Sequence, residues 1–125
     1  MTLRRALAAP ALLLALVLGL GACAGSPDPA AAAPLPADAV VVDVRTPGEF
    51  AEGHLDGAVN IDVQATDFAA RAAELPVDAP VVVYCRSGNR SAAAVAVLRD
   101  LGFTDLTDAG AMPDAAASLG LDIVR

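Results

Sequence analysis

The stretch Val81-Val82-Val83-Tyr84-Cys85-Arg86-Ser87-Gly88-Asn89-Arg90-Ser91 decides how the chain folds. It opens with four β-branched or aromatic residues and no polar alternation. It then places a cysteine, two arginines and a glycine within six residues and runs into an alanine-rich apolar segment. Unbroken apolar runs of this length mark strands buried on both faces, which implies a parallel sheet covered by helices on each side.

Working outward, Val40-Val41-Val42-Asp43-Val44 repeats the pattern, and Ala58 to Ile61 and Thr104 to Thr107 are weaker strand candidates. Helices are expected over Phe50 to Glu52 after Pro47, over Phe68 to Leu75, and over Ser91 to Leu101, the last ended by Gly102. In the third helix Ala94, Val97, Leu98 and Leu101 recur at spacings of three and four, giving one apolar face. Alternating strands and helices indicate an open α/β sheet. There is no internal repeat.

In such a sheet ligands bind beyond the C-terminal ends of the strands, where helix N-termini also point. That position puts Cys85 at the mouth of an anion site. Backbone N–H groups of the glycine-containing loop and the helix dipole add partial positive charge, and Arg86 and Arg90 add full charges. Each of these favours thiolate over thiol, the condition for a nucleophilic cysteine. A small buried cysteine at a strand end is the commoner fate of the residue. Two arginines and a glycine so close to it argue for reactivity instead.

Over the whole chain of 125 residues, 56% are hydrophobic and 3% aromatic, and 8 Lys+Arg stand against 15 Asp+Glu, a formal charge of -7. One domain fits this length. An acidic balance without any lysine argues against a nucleic-acid backbone as partner. Two cysteines, Cys23 and Cys85, form no disulfide framework.

Arg4 and Arg5 precede an uncharged run from Ala6 to Leu20, and Leu20-Gly21-Ala22 puts small residues directly before Cys23. A positive start, an apolar core and a small-residue cleavage site form the order of an export signal. The run falls short of the ~20 apolar residues of a spanning helix, so an uncleaved anchor is the weaker reading. Leu20-Gly21-Ala22-Cys23 resembles the lipobox of bacterial lipoproteins. That resemblance implies a signal peptide over residues 1–22, lipidation of Cys23, and export to the extracytoplasmic face of the cell membrane. The remaining chain would carry six arginines against 15 acids, a charge of −9. Cys85 would then be the only free thiol in an oxidising compartment, either inert through burial or kept for chemistry. Residues 23–37 read as the lipidated cysteine and a Pro/Ala-rich tether reaching up to ~40 Å. Residues 38–125 remain as the folded domain.

Three motifs together resemble the rhodanese domain: Asp43-Val44-Arg45 after the first strand, Gly53-His54-Leu55-Asp56-Gly57-Ala58-Val59-Asn60-Ile61, and the loop from Cys85 to Ser91. The resemblance implies an α/β fold with a central parallel five-stranded sheet and helices on both faces. It also implies sulfurtransferase chemistry, in which Cys85 takes a sulfur from thiosulfate or a related anionic donor. The resulting persulfide passes that sulfur to cyanide or to a thiol acceptor, small molecule or protein. No metal and no organic cofactor is implied. Four residues separate Cys85 from Arg90, whereas cysteine-dependent phosphatases and arsenate reductases need five, so the shorter loop favours sulfur over phosphate.

The roles follow from this loop. Cys85 is the expected nucleophile. The N–H groups of Arg86, Ser87, Gly88, Asn89 and Arg90 are expected to stabilise the persulfide, with Gly88 permitting the tight turn. Arg86 and Arg90 are expected to attract the sulfonate of thiosulfate, as a local positive focus within an acidic protein. Asp43 and Arg45 either line the site or pair with Glu49 to lock the following turn; the structural pair is the favoured role, and Asp43 is the one of the two expected to touch substrate. Ser91 caps or begins the helix. His54, the only histidine, is expected to be a hydrogen-bonded turn residue, and Met112 a core filler. Rhodanese domains commonly carry a Gly-Gly pair after the last strand and a tryptophan beyond it. Here Gly110-Ala111 replaces the pair and tryptophan is absent, which resembles small exported single-domain members. A membrane-tethered sulfane-sulfur carrier or sensor, or a non-catalytic interaction module, is the alternative from another class. Nothing calls for an oligomer, so a monomer is expected.

Overall fold

The computed structural model describes residues 34–125; the expected export signal, Cys23 and most of the tether fall outside the described residues. In chain order the elements are β1 (Val40–Asp43), α1 (Pro47–Glu52), β2 (His54–Leu55), β3 (Val59–Asn60), α2 (Phe68–Ala72), β4 (Val81–Cys85), α3 (Asn89–Asp100), β5 (Leu106–Ala111), α4 (Met112–Leu119) and β6 (Ile123–Val124). The two valine runs become the central pair of a parallel sheet, β1 beside β4 with Val42 opposite Val83. β3 joins the outer side of β1 and β5 the outer side of β4, giving the order β3-β1-β4-β5.

The pleat sends alternate side chains to opposite faces. Val42, Val44, Val81, Val83 and Cys85 face one way, packing with Phe68 and Ala72 of α2 and with Ala94, Val95 and Leu98 of α3. Val41 and Tyr84 belong to a second cluster with Leu55 and Ala115 of α4. Both faces are therefore dry, which is why neither strand alternates in polarity. Each fully buried valine or leucine contributes on the order of 1.5–3 kcal/mol to holding the layers together.

Four strands make up the parallel sheet among the described residues, rather than the five that the family resemblance implies. β2 pairs instead with β6 in a separate antiparallel ribbon, His54 opposite Val124 and Leu55 opposite Ile123. The N–H of Leu55 is taken by the Tyr84 hydroxyl at 2.9 Å, so this segment is tied to β4 through a side chain and not through a strand ladder. The third helix also differs from its expected register. It starts at Asn89, and its buried residues are Ser91, Ala94, Val95 and Leu98, whereas Leu101 is exposed. Ala94 and Leu98 keep their expected places, and the buried face continues from them to Ser91 and Val95, one turn back along the same stripe. Gly102 follows the helix at φ 99, the left-handed stop that a side chain resists.

The sequence patterns assign nothing to Met112–Leu119, yet α4 forms there, with Pro113 in its first turn and Gly120 ending it at φ 65. The register between β4 and β5 shifts after Val83. Asp108 lies opposite Val83, but Gly110 lies opposite Tyr84 and Ala111 opposite Cys85. This bulge turns the end of β5 toward the end of β4, where Cys85 sits.

Candidate active site

Cys85 is the last residue of β4 and is fully buried. The chain must leave the strand and start α3 within three residues. It does so through Gly88, at φ 98 and ψ -17, a conformation that costs an L-residue roughly 1–2 kcal/mol. That turn bends the loop back over the sulfur, and the Gly88 N–H donates to Cys85 Sγ at 2.9 Å. The thiol in turn faces Ser91 Oγ at 3.6 Å, and the Ser91 hydroxyl donates to the Gly88 carbonyl at 2.9 Å. Burial pushes the Cys85 thiol up. The Ser91 N–H and hydroxyl, followed by the N–H groups of Gly88 and Ser87, outweigh that penalty and hold it below its ordinary value. The N-terminus of the 12-residue α3 favours negative charge at the same point. Arg86, Ser87 and Asn89 are exposed around the loop, and Gly88 is half-buried.

Arg90 has a different position from the one its spacing suggests. Its guanidinium is engaged by Glu49 in a two-pronged pair, at 2.7 and 2.8 Å. Expected to attract a sulfonate, Arg90 instead ties α1 to the start of α3. Glu49 also caps α1, accepting from the Thr46 N–H while Thr46 Oγ1 accepts from the Glu49 N–H. The Arg90 guanidinium, with the Thr46 groups, lowers the Glu49 carboxyl to about 2.

Asp43, expected to touch substrate, is likewise fully buried and spent elsewhere. Arg45 Nε donates to both of its oxygens and Nη2 to Oδ2, and the Arg45 backbone N–H adds a fourth bond, to Oδ1. Arg45 Nη2 also donates to the Gly53 carbonyl. Neither residue pairs with Glu49. The pair locks the turn, as one of the two expected roles required, but its partner assignment is internal. Asn60 completes the lock by donating to the Asp43 and Arg45 carbonyls at 3.0 and 2.9 Å. His54 is hydrogen-bonded as expected but lies in β2 rather than in a turn: it stacks on the Phe50 ring at 3.7 Å, and its Nδ1 lies 2.9 Å from the Phe50 carbonyl. Met112 packs partly buried against the Tyr84 cluster.

Three contributors escape a reading by spacing. Glu49 belongs to a Thr-x-x-Glu capping pattern that is visible in the chain, but its second partner lies 41 residues away. Ser91 reads as a helix start, and only the structure turns its hydroxyl to the sulfur. Gly110, at φ 72, brings its Cα to 3.7 Å from where a Gly88 side chain would begin. The first glycine of the expected pair therefore backs the active loop. Among the described residues no three His, Cys, Asp or Glu side chains gather as a metal would require.

The model of the Rhodanese-like domain family matches residues 28–109. The chain is 49% identical over 69 residues to the thiosulfate sulfurtransferase GlpE of Pseudomonas fluorescens (strain SBW25), covering 54% of this chain and 61% of that protein. It thus spans about three fifths of the length of that relative. To a sulfurtransferase of Allochromatium vinosum it is 38% identical over 87 residues, covering 70% of this chain and 79% of the relative. Among solved structures, a rhodanese with anions from E. coli superposes with a TM-score of 0.58 at 26% identity, over 70% of this chain and 98% of that one. A rhodanese-related protein from Thermoplasma volcanium does so with a TM-score of 0.58 at 32% identity, over 70% and 84%. With its parallel sheet, its cysteine at the end of β4 and these matches, the chain belongs to the rhodanese-like domain family.

Proposed function

We infer that this protein is a sulfurtransferase whose sulfur carrier is Cys85. The observation that carries the reading is the Gly88 N–H directed at Cys85 Sγ at 2.9 Å, with the Ser87 and Ser91 N–H groups also favouring the thiolate. The thiolate attacks the outer sulfur of thiosulfate. The S–S bond of the donor breaks, sulfite leaves with the electron pair, and a Cys85 persulfide remains. Its transferable sulfur stands one S–S bond, about 2 Å, beyond Sγ. The loop N–H groups of Arg86 through Arg90 receive that negative charge as an oxyanion hole would receive an oxygen. Cyanide or an acceptor thiolate then takes the outer sulfur, and the Cys85 thiolate is released for another cycle. Arg86 is the exposed cation beside the nucleophile and draws in the anionic donor; Arg90, neutralised by Glu49, shapes the loop. Relatives that bear the name thiosulfate sulfurtransferase support the donor.

Steady-state formation of thiocyanate from thiosulfate and cyanide tests the reading. Many turnovers per Cys85, abolished in Cys85→Ser, are expected. One equivalent of transferred sulfur followed by arrest would assign the protein to the carrier class instead. The lipobox-like Leu20-Gly21-Ala22-Cys23 supports a protein exported and held at the membrane by lipid on Cys23. Cys23→Ser is expected to release it into the soluble fraction; continued tight attachment would mean an uncleaved apolar anchor. Among the described residues no helix is long and apolar enough to cross a membrane.

A further inference from the structure

A groove of about 510 Å³ opens one residue from the nucleophile, bounded by Arg86 of the active loop, Glu52 at the end of α1, Met112 and Pro113 at the start of α4, and Ile123 and Arg125 around β6. This volume falls in the ~300–1,000 Å³ range of sites for extended ligands, and a compact anion such as thiosulfate leaves most of it empty. The charges around it divide by whether they are already paired. Arg45 and Glu49 also border the groove, but Arg45 is bound to Asp43 and Glu49 to Arg90. Arg86, Arg125 and Glu52 form no salt bridge among the described residues. Arg125 Nε donates only to the Glu52 backbone carbonyl at 3.1 Å. The two unpaired guanidiniums therefore stand on different elements, one on the active loop and one directly after β6. They share the groove with an apolar surface of Met112, Pro113 and the half-exposed Ile123.

We propose that this groove binds a second class of sulfur donor, a polythionate: a linear dianion whose sulfane sulfurs are capped at each end by a sulfonate. Two cations on separate elements call for a ligand with an anionic group at each end. Thiosulfate offers a single S–S bond of about 2 Å, whereas tetrathionate places three such bonds between its terminal sulfurs. One sulfonate meets Arg86 beside the nucleophile and the other meets Arg125, each accepting the forked N–H groups of a guanidinium. The sulfane sulfurs between them bear no charge and lie against Met112, Pro113 and Ile123. Glu52, the unpaired carboxylate, opposes the dianion and so gives the site a signed response to mutation. The proposal rests on the reading of Cys85 as the reactive thiolate and widens its donors. The thiolate attacks the nearer sulfane sulfur, the central S–S bond breaks, and thiosulfate leaves with the electron pair. The exchange, Cys85–S⁻ + ⁻O₃S–S–S–SO₃⁻ → Cys85–S–S–SO₃⁻ + ⁻S–SO₃⁻, needs no further reactant, and the anion it releases is the donor of the cycle above.

The test separates binding in the groove from the chemistry at sulfur. Protein is mixed with tetrathionate over a range of concentrations, and the Cys85–S–S–SO₃⁻ adduct is followed by intact mass, with the neutral thiol reagent methyl methanethiosulfonate run alongside. The rate is expected to saturate with tetrathionate. Arg125→Gln is expected to raise the half-saturating concentration roughly tenfold, Arg125→Lys to restore most of the affinity, and Glu52→Gln to lower that concentration, while rates toward the neutral reagent stay the same. A rate that rises linearly without saturation, or charge variants without effect, would overturn the subsite, since any exposed thiolate reacts in that unguided way. In parallel, tetrathionate is added to Cys85→Ser protein, which cannot form the adduct, and amide resonances are recorded. Shifts centred on Arg86, Met112 and Ile123 that vanish on adding Arg125→Gln support the subsite even where thiosulfate yields no persulfide, a result that sinks only the reading of thiosulfate as donor. Absence of such shifts in the folded protein overturns the subsite.

Discussion

Ser91 has one hydroxyl proton and two claimants for it. While Cys85 is a thiol, the proton is directed to the Gly88 carbonyl, and Ser91 Oγ is free to accept from the S–H. Once the sulfur is a thiolate it has only lone pairs to offer, so the same hydroxyl serves it best by rotating to donate. The Gly88 carbonyl is not orphaned by that rotation, because the Ala92 N–H donates to it at 3.2 Å. Ser91 is thus a positioning residue whose rotor follows the charge of Cys85. Ser91→Ala is expected to raise the thiol toward its ordinary value and to slow alkylation by iodoacetamide at neutral pH roughly tenfold, with the pH profile displaced to alkaline and Ser91→Thr restoring it. A profile identical to that of the parent protein would show that the backbone N–H groups suffice alone. Burial does not silence Cys85: its desolvation is real, but several N–H groups converge on its single sulfur.

Among the elements, the short helix α1 holds the site together from outside the sheet. Glu49 caps it through Thr46 and clasps Arg90 at the head of α3. Because the folded carboxyl is lowered from 4.5 to about 2, the clasp contributes stability that is fully present above the ordinary carboxylate range and is lost as pH falls toward about 2. Denaturant midpoints measured across that interval should fall more steeply for the parent protein than for Glu49→Gln; parallel curves would mean that the pair contributes nothing. Beneath it, the buried Asp43–Arg45 pair is fully bonded, so Asp43→Ala strands a guanidinium that is 5% exposed and is expected to cost about 3–5 kcal/mol in equilibrium unfolding. A loss within 1 kcal/mol would mean that water reaches Arg45. The sheet and the loop were legible from the chain because both are written in contiguous residues: valine runs give strands, and Cys85 to Ser91 is one turn. Partners were not. Arg90 finds Glu49 and Leu55 finds Tyr84 across gaps of 41 and 29 residues, and no local period reports such distances. α4 stayed hidden because it is only eight residues long and follows β5 directly, with no intervening turn to mark its start.

Among the described residues, two layers of helix seal a four-stranded parallel sheet, and the ends of β4 and β5 open where sealing stops. Everything polar at that opening is arranged around one sulfur or beside it. The acidic balance of the protein, a formal charge of −7, repels an anionic donor at long range, so the exposed guanidinium of Arg86 must act at short range. Gly88 and Gly110 meet beneath this mouth, and the bulge in β5 sets Ala111 opposite Cys85, so even the chain irregularities converge there. That convergence makes a sharp claim about one atom. Intact-mass measurement of the purified protein after incubation with thiosulfate tests it most directly: the account predicts a gain of one sulfur that is absent in Cys85→Ser, and an unchanged mass in a folded protein with an alkylatable Cys85 would contradict it.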